Sequence, residues 1–412
     1  MSIHDSIRRR ALRGIAGAVL GFGVLGAGAQ AQEPIRVGVT VTQSPPGSVI
    51  QGTEVLRGLE IARDLFNEEG GVLERPFELV VEDTQGIPER GRAAVEKLIS
   101  VDDVVALTGE HQSSVCLAEI GLAARENVPF INTNCWSDDI RKEGHPQVFS
   151  PNMYNSRVAT AMSEVIDGLG VDSVFALAEN TDWGIGQAEA LGQLLEESGA
   201  EVDYQYELLD REARDFTPLI QGVRGEDPAM VALIMLPPAA YVVMNQLNEQ
   251  GVIPSEDTWL FEGGGLFSYP DFWENVGEAA LYGIYFDLYH TDMALSPFGQ
   301  TVREAYMERH EGTPSRLVFQ AADSLLLIRE AIKNAGSTEP DAMIEWLQQA
   351  KVQGTRGEIT FSDEKGPLFQ QWVETPYVTY QVTAPDQTLE ETTLISGPDM
   401  GVQVDQLRRP EN

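Results

Sequence analysis

The chain has 412 residues, 42% of them apolar, enough to fill about two to three ordinary cores and to argue against a disordered protein. Asp and Glu number 64 against 28 Lys and Arg, a formal charge of −36. Nucleic acid and anionic membrane surfaces repel such a body, so neither is expected as a partner. Lysine supplies five of the 28 cations (Lys97, Lys142, Lys333, Lys351, Lys365), and an acidic, lysine-poor surface suits strong salt, which screens its self-repulsion.

Residues 1–31 read as a signal peptide. Arg8-Arg9-Arg10 and Arg13 form a basic region, Gly14–Gly28 a modestly apolar one, and Ala29-Gln30-Ala31 a small-x-small cleavage site. Arg9-Arg10-Ala11-Leu12 loosely matches a twin-arginine signal, so export by either the Sec or the twin-arginine route is open. No cysteine follows the cleavage site to carry a lipid, and no second long apolar run is present. A periplasmic protein is the expectation.

Strand and helix patterns then alternate. Ile35–Thr42 is an apolar run, and Val55, Leu59, Ala62 and Phe66 recur at helical spacing within 54–69. Phe77–Glu82 reads as a strand and Glu89–Ser100 as a helix after Pro88. Val104–Thr108 and Val128–Ile131 are short buried strands flanking a helix that opens at Ser113-Ser114. Strands are predicted at 148–150, 173–178, 201–208, 230–235, 259–262 and 281–286. Helices are predicted near 157–169, 186–198, 216–223 and 239–249. Longer helices near 298–310, 319–335 and 341–350 follow, then strands at 358–361 and 377–382; the polar tail, 385–412, is expected to be weakly structured. The alternation predicts α/β architecture with parallel sheets, and some ten strands are too many for one small core. Two lobes are expected.

The stretch from 104 to 136 concentrates the candidate site. Its strand–loop–helix unit presents free backbone N–H groups at a sheet edge, a setting that suits a small anion. Ser113 and Ser114 open the helix, Glu110 and His111 share the loop, and Asn132, Asn134 and Trp136 arrive from the next strand. Trp183 and Glu262, followed by Gly263-Gly264-Gly265, stand at other strand ends, where clefts of α/β folds form. Cys116 and Cys135, nineteen residues apart, either pair in an oxidising compartment or remain buried thiols.

Enzyme signatures fail on context. Gly21-Phe22-Gly23-Val24-Leu25-Gly26 fits a dinucleotide pattern but lies in the signal peptide with no strand before it. The five histidines and two cysteines have no metal-ligand spacing, so no metal or cofactor is expected. No Gly-x-Ser-x-Gly elbow or phosphate loop is present, and a His111–Ser113 couple has no orienting acid.

Several segments in order resemble the leucine/isoleucine/valine-binding protein family, the periplasmic receptors of ABC importers. They are Ile35-Arg36-Val37-Gly38-Val39, Gly58-Leu59-Glu60-Ile61-Ala62, Asn67-Glu68-Glu69-Gly70-Gly71-Val72, Asp182-Trp183-Gly184, Asp215-Phe216-Thr217, Phe319-Gln320-Ala321-Ala322-Asp323 and Gly354-Thr355-Arg356-Gly357. The likeness spans about residues 35 to 383. It implies the type I periplasmic binding fold: two Rossmann-like lobes joined by three hinge crossings, with lobe 1 at 33–153 and 287–366 and lobe 2 at 154–286 and 367–384. It implies a monomer that binds a small amino acid or related zwitterion, without catalysis, and hands it to an inner-membrane ABC permease.

Carried over by position, Ser113 (or Ser114, one residue on) matches the serine that holds the ligand carboxylate. Glu262, just before Gly263, matches the acid that receives the ligand amine, and Trp183 matches a wall tyrosine. The chain departs from the family where a Ser-Pro-Ala-Ala-Thr-like segment becomes Asn132-Thr133-Asn134-Cys135-Trp136. The indole at 136 either shrinks the pocket or stacks on a planar or cationic ligand. Aromatic carboxylates, amides and urea-like solutes therefore stand as alternatives, as do a sensory partner and, last, a serine hydrolase.

Overall fold

The computed structural model describes residues 33–398 and 400–410. The expected signal peptide lies outside them. Two sheets organise the chain. The first is fully parallel, in the order β2-β1-β3-β4-β5, from Ile35–Val41 (β1), Phe77–Asp83 (β2), Ala106–Thr108 (β3), Phe130–Ile131 (β4) and Val148–Phe149 (β5). Helices Val49–Glu68 (α1), Pro88–Ser100 (α2) and Ser113–Arg125 (α3) connect its strands. Both faces are covered, so β1 and β3 are buried almost throughout, as continuous apolar strands should be.

Helix Asn155–Leu169 (α4) leads into the second sheet, which takes Ser173–Glu179 (β6), Asp203–Leu209 (β7), Met230–Ile234 (β8), Trp259–Glu262 (β9) and Ile284–Asp287 (β10) in parallel, connected by Asp182–Ser198 (α5), Thr217–Glu226 (α6), Ala239–Glu249 (α7) and the short Phe272–Val276 (α8). Helices Pro297–Arg309 (α9), Arg316–Ala335 (α10) and Pro340–Leu347 (α11) follow, then the hairpin Lys351–Gln353 (β11) and Glu358–Thr360 (β12). Strand Val378–Gln381 (β13) joins the second sheet antiparallel to β10.

Helix α10 returns the chain to the first sheet's side, where it lies on α1. Their approach is close enough that a Cβ at Gly58 would meet the Val318 carbonyl oxygen at 2.4 Å. From Arg316 to Ile328 every residue of α10 is buried. The chain passes between the sheets three times: after β5, after β10 and between β12 and β13. The first and third crossings run side by side, with Ser150 N–H donating to Gln370 O (2.9 Å) and Trp372 N–H to Ser150 O (2.9 Å).

The tail departs from expectation. Residues 393–396 form a further strand (β14) antiparallel to β13, giving the order β14-β13-β10-β9-β8-β6-β7. Leu389, Ile395 and Leu407 are buried, and Gln381 exchanges bonds with the Arg408 backbone (2.8 and 2.9 Å). The segment is polar in composition, yet it caps an otherwise open sheet edge. The second sheet therefore draws on residues past 384. Among the described residues no helix is long and apolar enough to cross a membrane.

Candidate functional site

The carboxyl ends of both sheets open onto one cavity of about 450 Å3. From the first sheet come the loops after β3 and β4; from the second come those after β6, β7, β8 and β9. Two helices begin at its wall. Helix α3 starts at Ser113 with no acidic side chain in its first turn, and α5 starts at Asp182 after the cap Thr181, whose Oγ1 accepts from Gly184 N–H (3.3 Å). The first N–H groups of α3 are free to meet an acceptor, whereas in α5 the N–H groups of Asp182 and Gly184 are taken by Ser114 and Thr181 and an acidic side chain, Asp182, occupies the first turn.

The structure brings Ser113, Ser114, Asn134, Trp136 and Trp183 together on this wall. Ser113 Oγ accepts from Ser137 N–H (3.1 Å), and its own proton remains available to an acceptor. Ser114 Oγ accepts from Asp182 N–H (3.3 Å), a bond that crosses between the halves. Trp136, 2% exposed, is fixed on every side. Its Nε1 donates to Asn134 Oδ1 (2.8 Å), and its ring meets Trp183 edge-on with centroids 6.4 Å apart. The Arg316 guanidinium lies 5.2 Å from its centroid, within cation–π range. The Asn134 side-chain oxygen is thus committed to the indole. Cys116 and Cys135 are joined by a disulfide, with Cα atoms 6.5 Å apart, which pins α3 to the loop after β4.

Glu262 and Gly263 lie behind the wall rather than in it. Glu262 is fully buried, and its two oxygens accept the N–H groups of Gly264 and Leu266, the latter at 2.9 Å. Burial pushes its carboxyl up to about 8, against these bonds and the Arg316 charge. The carboxyl group is spent on shaping the turn 263–266. Gly263 is held by its own N–H to Leu233 O (2.9 Å), and the residue that reaches the cavity is Gly264.

Sequence reasoning missed two arginines. Arg316, at the start of α10, is 1% exposed. It donates to Gly265 O (2.9 Å), Gly264 O (2.7 Å) and Tyr269 Oη (2.9 Å), clamping the loop after β9. Gly265 has φ +73°, and a Cβ there would collide with Arg316 Nη1 at 2.1 Å, so glycine is required twice over. Arg211, from the loop after β7, donates to Gln112 Oε1 (2.7 Å) and Gly86 O (3.2 Å) and stands 3.7 Å from Glu179. An arginine opening a stretch that is otherwise buried, as in Ser315-Arg316-Leu317-Val318-Phe319, was the available signal for the first. Arg211, in a polar loop, had none.

His111, 3% exposed, also lines the cavity. Burial, aided by the Arg316 and Arg211 charges and opposed by the Ser48 backbone, pushes its imidazole down to about 3, so the ring is neutral. Asn132 is withdrawn: its amide donates to Cys135 O (2.8 Å) and Ser150 Oγ (3.1 Å). A second cavity of about 580 Å3 adjoins the first and shares Gln112, Glu179, Arg211, Glu212 and Leu236 with it, so the Arg211–Gln112 contact stands as a post within one long cleft. Among the described residues no group of His, Cys, Asp and Glu could hold a metal ion. The arrangement can enclose and hydrogen-bond a small solute.

Known proteins match this geometry. The family described as periplasmic binding protein matches residues 34–384. A Leu/Ile/Val-binding protein homolog 7 from Brucella suis is 25% identical over 307 residues, covering 71% of this chain and 74% of that protein. An amino acid binding protein from Pseudomonas aeruginosa is 23% identical, covering 77% and 83%. In three dimensions, the leucine binding protein LivK of Thermotoga maritima superposes with a TM-score of 0.78 at 19% identity, over 90% of this chain and all of that one. A solute binding protein of an R. palustris ABC transporter in complex with benzoate gives 0.76 at 16% identity, over 91% and 98%. LivJ of Streptococcus pneumoniae in complex with isoleucine gives 0.75 at 18%, over 89% and 100%. The fold is the type I periplasmic binding fold, similar curated proteins include Leu/Ile/Val-binding protein homologues, and the chain belongs to the periplasmic binding protein family.

Proposed function

We propose that this chain is the exported solute receptor of an ABC importer and that its cleft captures a small carboxylate with a planar or apolar body. The observation that carries the reading is the make-up of the wall. The N-terminus of α3 and the Ser113 hydroxyl offer donors to an anion, and Trp136 and Trp183 offer apolar surface, while Glu262 is occupied by backbone. Proteins of the same fold that hold benzoate and isoleucine hold carboxylates in both cases. The solute bridges the two halves and so binds the closed form better than the open one. The loaded, closed receptor then delivers it to an inner-membrane permease.

A second reading, an α-amino acid, is favoured by one observation. Glu179 is a buried acid in the wall and faces Arg211 at 3.7 Å, where an ammonium group would share it. Calorimetry with benzoate, leucine and their uncharged amides separates the two. The first reading expects benzoate to bind and benzamide to bind more weakly, with Ser113→Ala costing benzoate about 1.5–3 kcal/mol, the worth of a hydrogen bond to a charged group. Tight leucine binding without benzoate binding selects the amino-acid reading. Equal affinity for acid and amide removes the carboxylate contact altogether.

A further inference from the structure

The second cavity, of about 580 Å3, lies beyond the donors at the Ser113 end of the cleft. One wall is the start of α1, with Val49 and Ile50; the other is Leu236-Pro237-Pro238, leading into α7. The residues it shares with the first cavity make the two continuous, with Ser113 and Trp136 on one side of the Arg211 post and the prolines on the other. The polar groups of this chamber are either engaged or stand at its rim. Glu179 accepts from Leu236 N–H (3.2 Å) and faces Arg211, Asp271 accepts from Tyr241 Oη–H (2.8 Å), and Glu212 and Arg214 are exposed. Backbone donors are scarce as well. Pro45, Pro46, Pro237 and Pro238 have no N–H, and Gly47 gives its own to Gln85 O (2.9 Å). What stays uncovered is apolar: Val49, Ile50 and Leu236 are all half-buried.

The first cavity, at about 450 Å3, already has the size that holds a small organic solute, about 300 to 1,000 Å3. The second is additional room with a chemistry of its own. Half-buried apolar side chains on a concave wall gain by being covered, in proportion to the area they withdraw from water. We propose that this chamber is a subsite for an apolar arm of the solute, so that the ligand class is an elongated carboxylate. Its charged end lies at Ser113 and the N-terminus of α3, and its alkyl or phenylalkyl arm passes the Arg211–Gln112 contact to reach Val49, Ile50 and Leu236. A second anionic end is disfavoured there, because Glu212 and Asp271 flank Arg214 on the same wall. A polar neutral end would find its hydrogen-bonding partners already taken.

The inference rests on the carboxylate reading for the solute's charged end, and the test keeps the two apart. The whole exported protein is titrated calorimetrically with butanoate, octanoate, octanedioate and octanamide, and with benzoate and 6-phenylhexanoate. In at least one of the two series the longer acid is expected to bind tighter by about tenfold or more. Ile50→Asp puts a charge on the apolar wall, in a first helical turn that tolerates an acid, and Val49→Trp fills the chamber. In at least one of these variants the length gain is expected to fall below about threefold while the shorter acid binds as before. Equal affinities for short and long acids, a gain that survives both substitutions, or octanedioate binding as tightly as octanoate overturns the subsite and leaves the carboxylate reading standing. Octanamide binding as tightly as octanoate, with the length gain intact, overturns the carboxylate reading and keeps the subsite. No binding by any of the six overturns both.

Discussion

Glu110 sits directly under the loop that carries His111 and Ser113, and its carboxyl group organises that loop. Oε1 accepts from the N–H groups of His111 and Gln112 (both 2.9 Å), and Oε2 accepts from Thr84 Oγ1 (2.9 Å). Full burial pushes the group up to about 7, and the neighbouring buried Glu119 is held well above the ordinary carboxylate value by burial and by Glu110. Both carboxyls keep their protons in the folded protein at pH values where the unfolded chain has released them. Protons bound by the folded form exceed those bound by the unfolded form between about pH 4.5 and 7, so their contribution to stability falls as pH rises through that window. Melting temperature should therefore decline from pH 5 to 8, and Glu119→Gln should flatten the decline; an unchanged slope in the variant would refute the assignment. At this scale the sequence was half readable. Ser113, Trp136 and Trp183 were legible because they sit at strand ends and helix starts, which local pattern reveals. The position of Glu262 was legible too, but its commitment to the Gly264 and Leu266 N–H groups depends on how a glycine-rich turn folds back, which no spacing encodes. Arg211 and Arg316 act across the gap between the halves, and only three-dimensional structure brings them to the cleft.

Helix α3 is the element on which the site depends, and its attachment is covalent. The disulfide from Cys116 to Cys135 closes a loop of nineteen residues and fastens the helix to the turn bearing Trp136. A loop of that length restricts the unfolded chain by about 3 kcal/mol. Denaturant unfolding of Cys116→Ser with Cys135→Ser should show a loss of that order, with no loss if reduction leaves the unmodified protein equally stable. Most elements were visible in the amino-acid pattern. The buried strands β6, β8 and β9 read as uninterrupted apolar runs, and α10 was read from Phe319, three residues after its start at Arg316. Strand β14 was hidden because Thr393–Ser396 is four residues long and set in polar sequence. Its identity comes from pairing with β13, a tertiary fact. The hairpin of β11 and β12 was half seen for the same reason: Lys351–Gln353 alternates exposed and buried over three residues, too few for a period to register.

For the molecule as a whole, charge is the governing quantity. With 64 acidic residues and 28 basic ones, self-repulsion opposes the compact state, and added salt relieves it. The melting temperature is expected to rise steadily from low salt to molar salt in differential scanning calorimetry, and a flat response would remove the salt-adapted reading. The remaining consequence concerns the contacts that already span the cleft: Arg211 to Gln112 and Gly86, Arg316 to Gly264 and Gly265, Ser114 to Asp182, and Gln51 to Tyr269. None of these needs a guest. Contacts between the protein's own side chains favour the drawn-together arrangement, so less of a guest's interaction energy is diverted into rearranging its host. The same bias blurs the outward difference between vacant and laden copies, and a downstream partner that reads only the shut outline would dock with both.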